Sequence, residues 1–251
     1  MNIVQTFYDG MASSYDKLFK DWNEETRKQA IILDRLFRSL GFERRSSLLD
    51  CACGIGTQAV GLAELGYSVT ASDFSREELS EAEKRAAERG VRIRFEWADF
   101  RLLEDVFQEN FDIVIAMDNA LPHMLSEENL EKALKSMACR VRMGGIFMAS
   151  IRDYDRLLVD KPPYSAPYIH ASETEKRISF QTWDWSEDHY RLTQYIIEDG
   201  PSLKISKFDS EYRAVKREDL TRLLYKAGFS RVIWKFPEET DFYQPIVIGI
   251  R

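Results

Sequence analysis

The chain has 251 residues, with 35 lysines and arginines against 42 aspartates and glutamates, a net charge of −7. An acidic balance with no basic cluster argues against a nucleic-acid partner, because phosphate binding calls for a basic face. No apolar run approaches the roughly 18 residues of a membrane span and no signal-peptide pattern opens the chain, so a cytoplasmic protein without a membrane partner is expected.

In chain order, Tyr8-Asp9, Tyr15-Asp16, Leu18-Phe19 and Trp22 precede an amphipathic stretch from about Asn23 to Leu40 that stops at Gly41, the pattern of a helix. Ser47 to Asp50 reads as an apolar strand, followed by a glycine turn, a helix to Leu65 and Gly66, and a second strand from Val69 to Asp73. Gly54 can take positive φ, and Gly56 lets backbone amides approach a ligand without a Cβ in the way. Asp73 lies 19 residues after Gly54, where a second strand presents an acid to a ribose diol. That spacing alone also fits a nicotinamide dinucleotide enzyme. Asp50 speaks against it: a carboxylate at the mouth of the first strand repels a pyrophosphate and attracts the ammonium and sulfonium of S-adenosylmethionine.

A charged helix from Glu77 to Arg89, capped by Gly90, leads to a third strand, Val91 to Trp97, and then to Ala98-Asp99, where Asp99 can accept from an adenine amino group. Phe111 to Met117 is a continuous apolar run, as in a strand buried on both faces. It runs into Asp118-Asn119-Ala-Leu-Pro122-His123, and a helix from Glu127 to Arg142 precedes Gly144-Gly145. This βα rhythm implies a parallel sheet with right-handed crossovers. After Ile151 the rhythm breaks. Lys176 to Trp185, Tyr190 to Glu198 and Leu203 to Val215 alternate in hydrophobicity around turn residues and predict about three antiparallel strands. They would cover the crevice at the carboxyl edge of the sheet, with Tyr164, Tyr168, Trp183, Trp185 and Tyr195 divided between an acceptor pocket and simple packing. Arg217 to Tyr225 is a helix, and Phe229 to Phe236 and Pro245 to Ile250 are late strands. Cys51, Cys53 and Cys139 lack a partner pair for a metal or redox site, and of the three histidines only His123 falls on the expected ligand face.

Leu49-Asp50-x-Ala52-Cys53-Gly54-x-Gly56, Val69 to Asp73, Ala98-Asp99, Phe111-Asp112-x-Val114 and Ala227-Gly228-Phe229 together resemble the class I S-adenosylmethionine-dependent methyltransferases, from about Tyr8 to the C-terminus. The chain looks most like the glycine and sarcosine N-methyltransferase group. Asp118-Asn119-x-x-x-His123 stands where that group has Gly-Asn-Ser-x-x-His, and Arg152-Asp153-Tyr154-Asp155 where it has Arg-Asn-Tyr-Asp. Asp118 and Asp153 depart from the pattern.

The resemblance implies a single α/β domain over residues 1–251, with a Rossmann-like, doubly wound, mostly parallel sheet from 42–152 and 216–251. It also implies an antiparallel β insertion after the fifth strand, at 153–215, and an N-terminal helical lid at 1–41. Its cofactor would be S-adenosylmethionine, leaving as S-adenosylhomocysteine, with no metal, a small-molecule acceptor and a possible homo-oligomer. Cofactor contacts are expected from Tyr15, Trp22, Asp50, Ala52, Gly54, Gly56, Thr57, Gln58, Asp73, Phe74, Ala98, Asp99, Phe100, Met117 and Asp118. Catalytic and acceptor contacts are expected from Asn119, His123, Arg152 and Tyr154. Arg152 can hold a carboxylate by two parallel hydrogen bonds, or can pair structurally with Asp153 or Asp155. Asn119 can present its amide oxygen to an amine, or simply make the turn before Pro122. An already activated methyl needs alignment and exclusion of water more than a base, which favours transfer to the nitrogen of an amine or amino acid. O- or C-methylation of a larger acceptor, with His123 as base, and a non-catalytic S-adenosylmethionine-binding module are the alternatives.

Overall fold

A computed structural model describes residues 3–171 and 176–251. Residues 1, 2 and 172–175, which belong to the expected lid and insertion, lie outside the described residues. The chain opens on α1 (Ile3–Met11), a 3-10 turn (Ala12–Leu18) and α2 (Trp22–Ser39). Asp21 starts α2 by accepting from the amides of Asn23 at 2.8 Å and Glu24 at 3.1 Å, two of the donors a helix start leaves free.

The first sheet holds seven strands in the order β10-β11-β5-β4-β1-β2-β3. These are β1 (Ser47–Asp50), β2 (Ser68–Asp73), β3 (Arg94–Trp97), β4 (Phe111–Ala116), β5 (Val141–Ser150), β10 (Arg231–Lys235) and β11 (Ile246–Ile250). The five from β3 to β5 run parallel, and β11 and β10 add antiparallel pairs. Leu48, Ile113 and Ile115 belong to one buried apolar cluster, Leu49, Val114 and Ala116 to another. Both faces are covered, which is why the strands read as unbroken apolar runs. Helices α3 (Thr57–Glu64), α4 (Arg76–Glu88), α5 (Glu127–Arg140) and α7 (Arg217–Lys226) connect them.

Between β5 and α7 come a short helix, α6 (Tyr154–Asp160), and a second, antiparallel sheet of order β6-β7-β8-β9. Its strands are β6 (Tyr168–Ala171), β7 (Lys176–Ser186), β8 (His189–Asp199) and β9 (Leu203–Arg213). Four strands replace the expected three because the short β6, just after Pro167, adds itself to the edge of β7. A last short helix, α8 (Pro237–Thr240), precedes β11.

Other boundaries move for local reasons. Val91 is not strand: its amide closes α4 on the Ala86 carbonyl at 3.1 Å, past Gly90 at φ 66°. The helix expected to reach Arg142 ends at Arg140, because Val141 pairs with Phe111 and opens β5 across an irregular register. Phe229 closes α7 on Leu224 and packs its ring where a Gly249 Cβ would be only 2.8 Å away, so β10 starts two residues later.

Candidate active site

The C-terminal ends of β1, β2, β4 and β5 converge beneath α1 and the 3-10 turn, and two cavities meet there. The first is walled by the β1–α3 turn, Asp73-Phe74, Ala98 to Arg101, Met117-Asp118 and His123, with Tyr8 and Tyr15 over it. Gly54 and Gly56 make the turn at φ 52° and 88°. The Gly54 amide then donates to Asp73 Oδ2 at 2.9 Å, and the Ser75 amide to Oδ1 at 3.0 Å.

Four carboxyls, those of Asp73, Glu78, Asp99 and Asp118, line this cavity against one guanidinium, Arg101. That cation is spent on Asp99, which it grips through Nε at 2.9 Å and Nη2 at 2.5 Å. Asp99, expected to accept from an adenine amino group, is thus already ion-paired. Glu78, one turn into α4, is buried and its Oε1 has no hydrogen-bond partner. Asp50 lies just behind the wall, fully buried, with Oδ1 facing the Ala52 amide at 3.4 Å and Oδ2 unpartnered. Burial holds the Asp50 carboxyl up at about 8, with Asp73 and Asp118 adding to the rise, and burial lifts Asp73 to about 6 against three backbone amides. An orphaned carboxyl oxygen inside an acid-rich wall fits a ligand carrying ammonium and sulfonium charge and a ribose diol. Asp73, Glu78, Thr57 and Gln58 are the side chains that would hold it.

Tyr15, Ala52, Gly54, Thr57, Gln58, Asp73, Phe74, Ala98, Asp99, Phe100, Met117 and Asp118 all line this cavity. Trp22, Asp50 and Gly56 stand behind this lining. Trp22 donates through its indole to Thr57 Oγ1 at 3.0 Å and lies under Arg85 at 4.5 Å, so it fixes Thr57 from behind. Gly56 packs instead against α3 and α4, where a Cβ would meet Val60 at 3.0 Å and Ala82 at 3.4 Å. The expected lid is tied down through α1, where Ser75 Oγ donates to Asp9 at 2.6 Å and Tyr8 meets His123 Nε2 at 2.7 Å.

The second cavity opens between the lid, the end of β5, the second sheet and the β10–β11 connection, and Asn119 and Arg152 line it. Arg152 pairs with neither Asp153 nor Asp155. Arg217 takes both acids, at 2.5 and 3.3 Å. The Arg152 guanidinium donates to Tyr190 Oη and Gln181 Oε1, each at 2.9 Å, and stacks on Trp183 at 4.9 Å and Tyr212 at 5.6 Å. Among the described residues no carboxylate lies within 4.0 Å of it. The Asn119 amide has the reverse polarity to the one expected: Oδ1 accepts from the Arg152 amide at 3.1 Å and from Tyr154 Oη at 3.0 Å, which leaves a buried Nδ2 without a partner. It offers N–H groups, not oxygen. Tyr154 lines neither cavity; fully buried and bonded to Tyr190 Oη at 2.8 Å, it positions Asn119.

His123 lines the first cavity, but both ring nitrogens are engaged. Nδ1 faces the Glu211 carbonyl at 3.2 Å and so carries the proton, which makes Nε2 the acceptor of the Tyr8 hydroxyl. Burial pulls its pKa down to about 3. A neutral, doubly bonded imidazole holds the lid and is not a free base. Of the insertion aromatics, Tyr168 and Trp183 line the second cavity, whereas Tyr195 stacks on Phe180, Trp185 packs on Tyr190 and Tyr164 is largely exposed.

Tyr212, Gln181 and Tyr243 are wall residues that sequence reasoning missed. Glu78 was hidden in the first turn of α4, where a glutamate ordinarily only complements the helix dipole. Cys51 and Cys53 are buried, with their thiols toward the Ile115 and Gly54 carbonyls. Among the described residues no three His, Cys, Asp or Glu side chains gather into a metal site, and no helix is long and apolar enough to cross a membrane.

Residues 48–145 match the methyltransferase domain family. The glycine/sarcosine N-methyltransferase of Parasynechococcus marenigrum (strain WH8102) is 31% identical over 243 residues, covering 96% of this chain and 82% of the relative. Human (Homo sapiens) glycine N-methyltransferase is 34% identical over 245 residues, covering 88% of this chain and 81% of its own. An S-adenosylmethionine-dependent methyltransferase from Clostridium acetobutylicum ATCC 824 superimposes with a TM-score of 0.74 at 20% identity, over 97% of each chain. The seven-stranded sheet, the acid-rich cavity at its carboxyl edge and these relatives agree: the chain belongs to the class I S-adenosylmethionine-dependent methyltransferases, in the family that includes the glycine and glycine/sarcosine N-methyltransferases.

Proposed function

We propose that the protein transfers a methyl group from S-adenosylmethionine to the nitrogen of a small amino acid. The observation that carries this reading is Arg152, a permanently charged and largely enclosed guanidinium with no acid beside it among the described residues. Such a cation is stable when a carboxylate arrives with the ligand, and the planar fork suits two oxygens. The unpartnered Asn119 Nδ2 adds a second donor next to it. Both relatives carry names that give glycine as their substrate, which makes glycine and sarcosine the first acceptors to test.

S-adenosylmethionine supplies an electrophilic methyl and leaves as S-adenosylhomocysteine. The protein then has three tasks. Asp73, Glu78, Thr57 and Gln58 hold the cofactor, Arg152 and Asn119 hold the acceptor carboxylate, and Tyr8 and Tyr15, which line both cavities, keep water from the junction. Tyr8 is held there by His123 and cannot swing freely. The occupied His123 is no base for a phenol or alcohol acceptor, which removes the support for O-methylation through that histidine.

Incubation with S-adenosylmethionine and a panel of amino acids, amines, phenols and amino sugars, read by mass spectrometry, tests the reading. Methylation is expected for acceptors that carry both an amine and a carboxylate. Methylation restricted to acceptors without a carboxylate would overturn it.

A further inference from the structure

Asp118 and Asn119 follow β4 with φ of 55° and 68°, a region disfavoured for any residue with a Cβ. Glycine would sit at 118 without strain. An aspartate stands there instead, and its side chain turns inward: Oδ1 accepts from Tyr243 Oη at 2.5 Å, and Oδ2 from Gln58 Nε2 at 2.8 Å. Among the described residues only Tyr8, Tyr15 and Asp118 line both cavities, so Asp118 is the one carboxyl at their junction. The next residue, Asn119, is tied to the Arg152 backbone. Asp118 therefore presents its carboxyl where the Arg152 cavity meets the cavity of the glycine turn.

We propose that Asp118 receives the amine end of a zwitterionic acceptor, binding its ammonium and taking its proton before methyl transfer, while Arg152 holds the carboxylate; this rests on the reading of Arg152 given above. One N–H bond of the ammonium breaks and leaves its electron pair on nitrogen, and the proton forms an O–H bond on Asp118. The freed pair then forms the nitrogen–methyl bond as the sulfur–methyl bond breaks with its electrons passing to sulfur. The product is a methylated ammonium, and Asp118 returns its proton to solvent. Neutralising Asp118 at that moment also withdraws a negative charge that would favour the sulfonium ground state over a transition state of dispersed charge. The surroundings suit a proton acceptor: burial raises the Asp118 carboxyl above the usual range and Glu25 raises it further, against the Tyr243 and Gln58 bonds. Asp50 and Tyr15 are the other titratable groups that feel its charge.

Calorimetry of the protein saturated with S-adenosylhomocysteine, titrated with glycine and with acetate, separates the two ends of the acceptor. Acetate keeps the carboxylate and lacks the amine. Wild type should bind glycine at least about tenfold more tightly than acetate, the weight of one charge-assisted hydrogen bond. Asp118→Asn, kept saturated with S-adenosylhomocysteine, should bring the two within about twofold. Asp118→Gly, which relieves the positive φ, should fold and also lose the preference. A preference for glycine that survives in both variants overturns the proposal, as does a loss of cofactor binding without loss of the preference. If neither glycine nor acetate binds wild type, it is the Arg152 reading that fails, and this proposal falls with it.

Discussion

Burial raises the carboxyls around the cofactor cavity, Asp50 to about 8 and Asp73 to about 6. An acid whose pKa is raised on folding binds more protons folded than unfolded, so these groups remove stability as pH rises from about 4, the unfolded value, toward 8. A cationic ligand beside them reverses the cause of the shift. S-adenosylmethionine binding should therefore release protons at neutral pH and tighten as pH rises from about 6 to 8, by up to about tenfold per pH unit for each proton released. Titrations in buffers of different ionisation heat measure this release directly; proton uptake, or no exchange, would contradict it. Asp73, Gly54 and Arg152 were legible as residues because a strand end, a turn and a guanidinium carry their chemistry in their type and spacing. The polarity of Asn119 and the engagement of His123 were not, since each depends on partners, Tyr154 at one and Tyr8 and Glu211 at the other, that only the fold brings near.

Among the elements, the contact between α2 and α3 couples stability to the site. A Cβ on Gly61 of α3 would stand 2.7 Å from the Thr26 carbonyl and 2.8 Å from Ala30 Cβ, both on α2, so this glycine is what lets the two helices touch. Gly61→Ala should cost about 1 to 3 kcal/mol as α2 is pushed away. In a chain of this size that lowers Tm by several degrees, roughly 2 to 4 °C per kcal/mol. Because α2 begins at Trp22, whose indole holds Thr57, cofactor affinity should fall as well. A thermal melt and a calorimetric titration check both halves, and an unchanged melt would mean the helices have room to separate. Periodicity disclosed α2, α4 and α7 because each has one apolar face turned to the protein interior. α1 and β6 escaped it, being only 9 and 4 residues long, and their faces are completed by β9 and β7 from farther along the chain.

At the scale of the molecule, the proposed function divides two ligands between two sheets. The first sheet and its βα turns build the cofactor cavity, and that half was readable in the sequence because a glycine turn and strand-end acids are local features. The acceptor cavity draws on the lid, the second sheet and the β10–β11 connection at once. Tyr243 is 125 residues from Asp118, and Gln181 is 29 from Arg152, so no local pattern announces them. Arg152 follows β5 of the first sheet yet is held by Tyr190 and Gln181 of the second, and the proposed function has it serve the acceptor alone. Substituting it by lysine keeps the charge and removes the fork. Kinetics of Arg152→Lys with glycine or sarcosine, beside calorimetry with S-adenosylmethionine, is the most direct test. The acceptor KM should rise by at least about tenfold while the cofactor Kd stays within about twofold. Equal losses in both would make Arg152 a structural residue and contradict the assignment of the second cavity to a carboxylate acceptor.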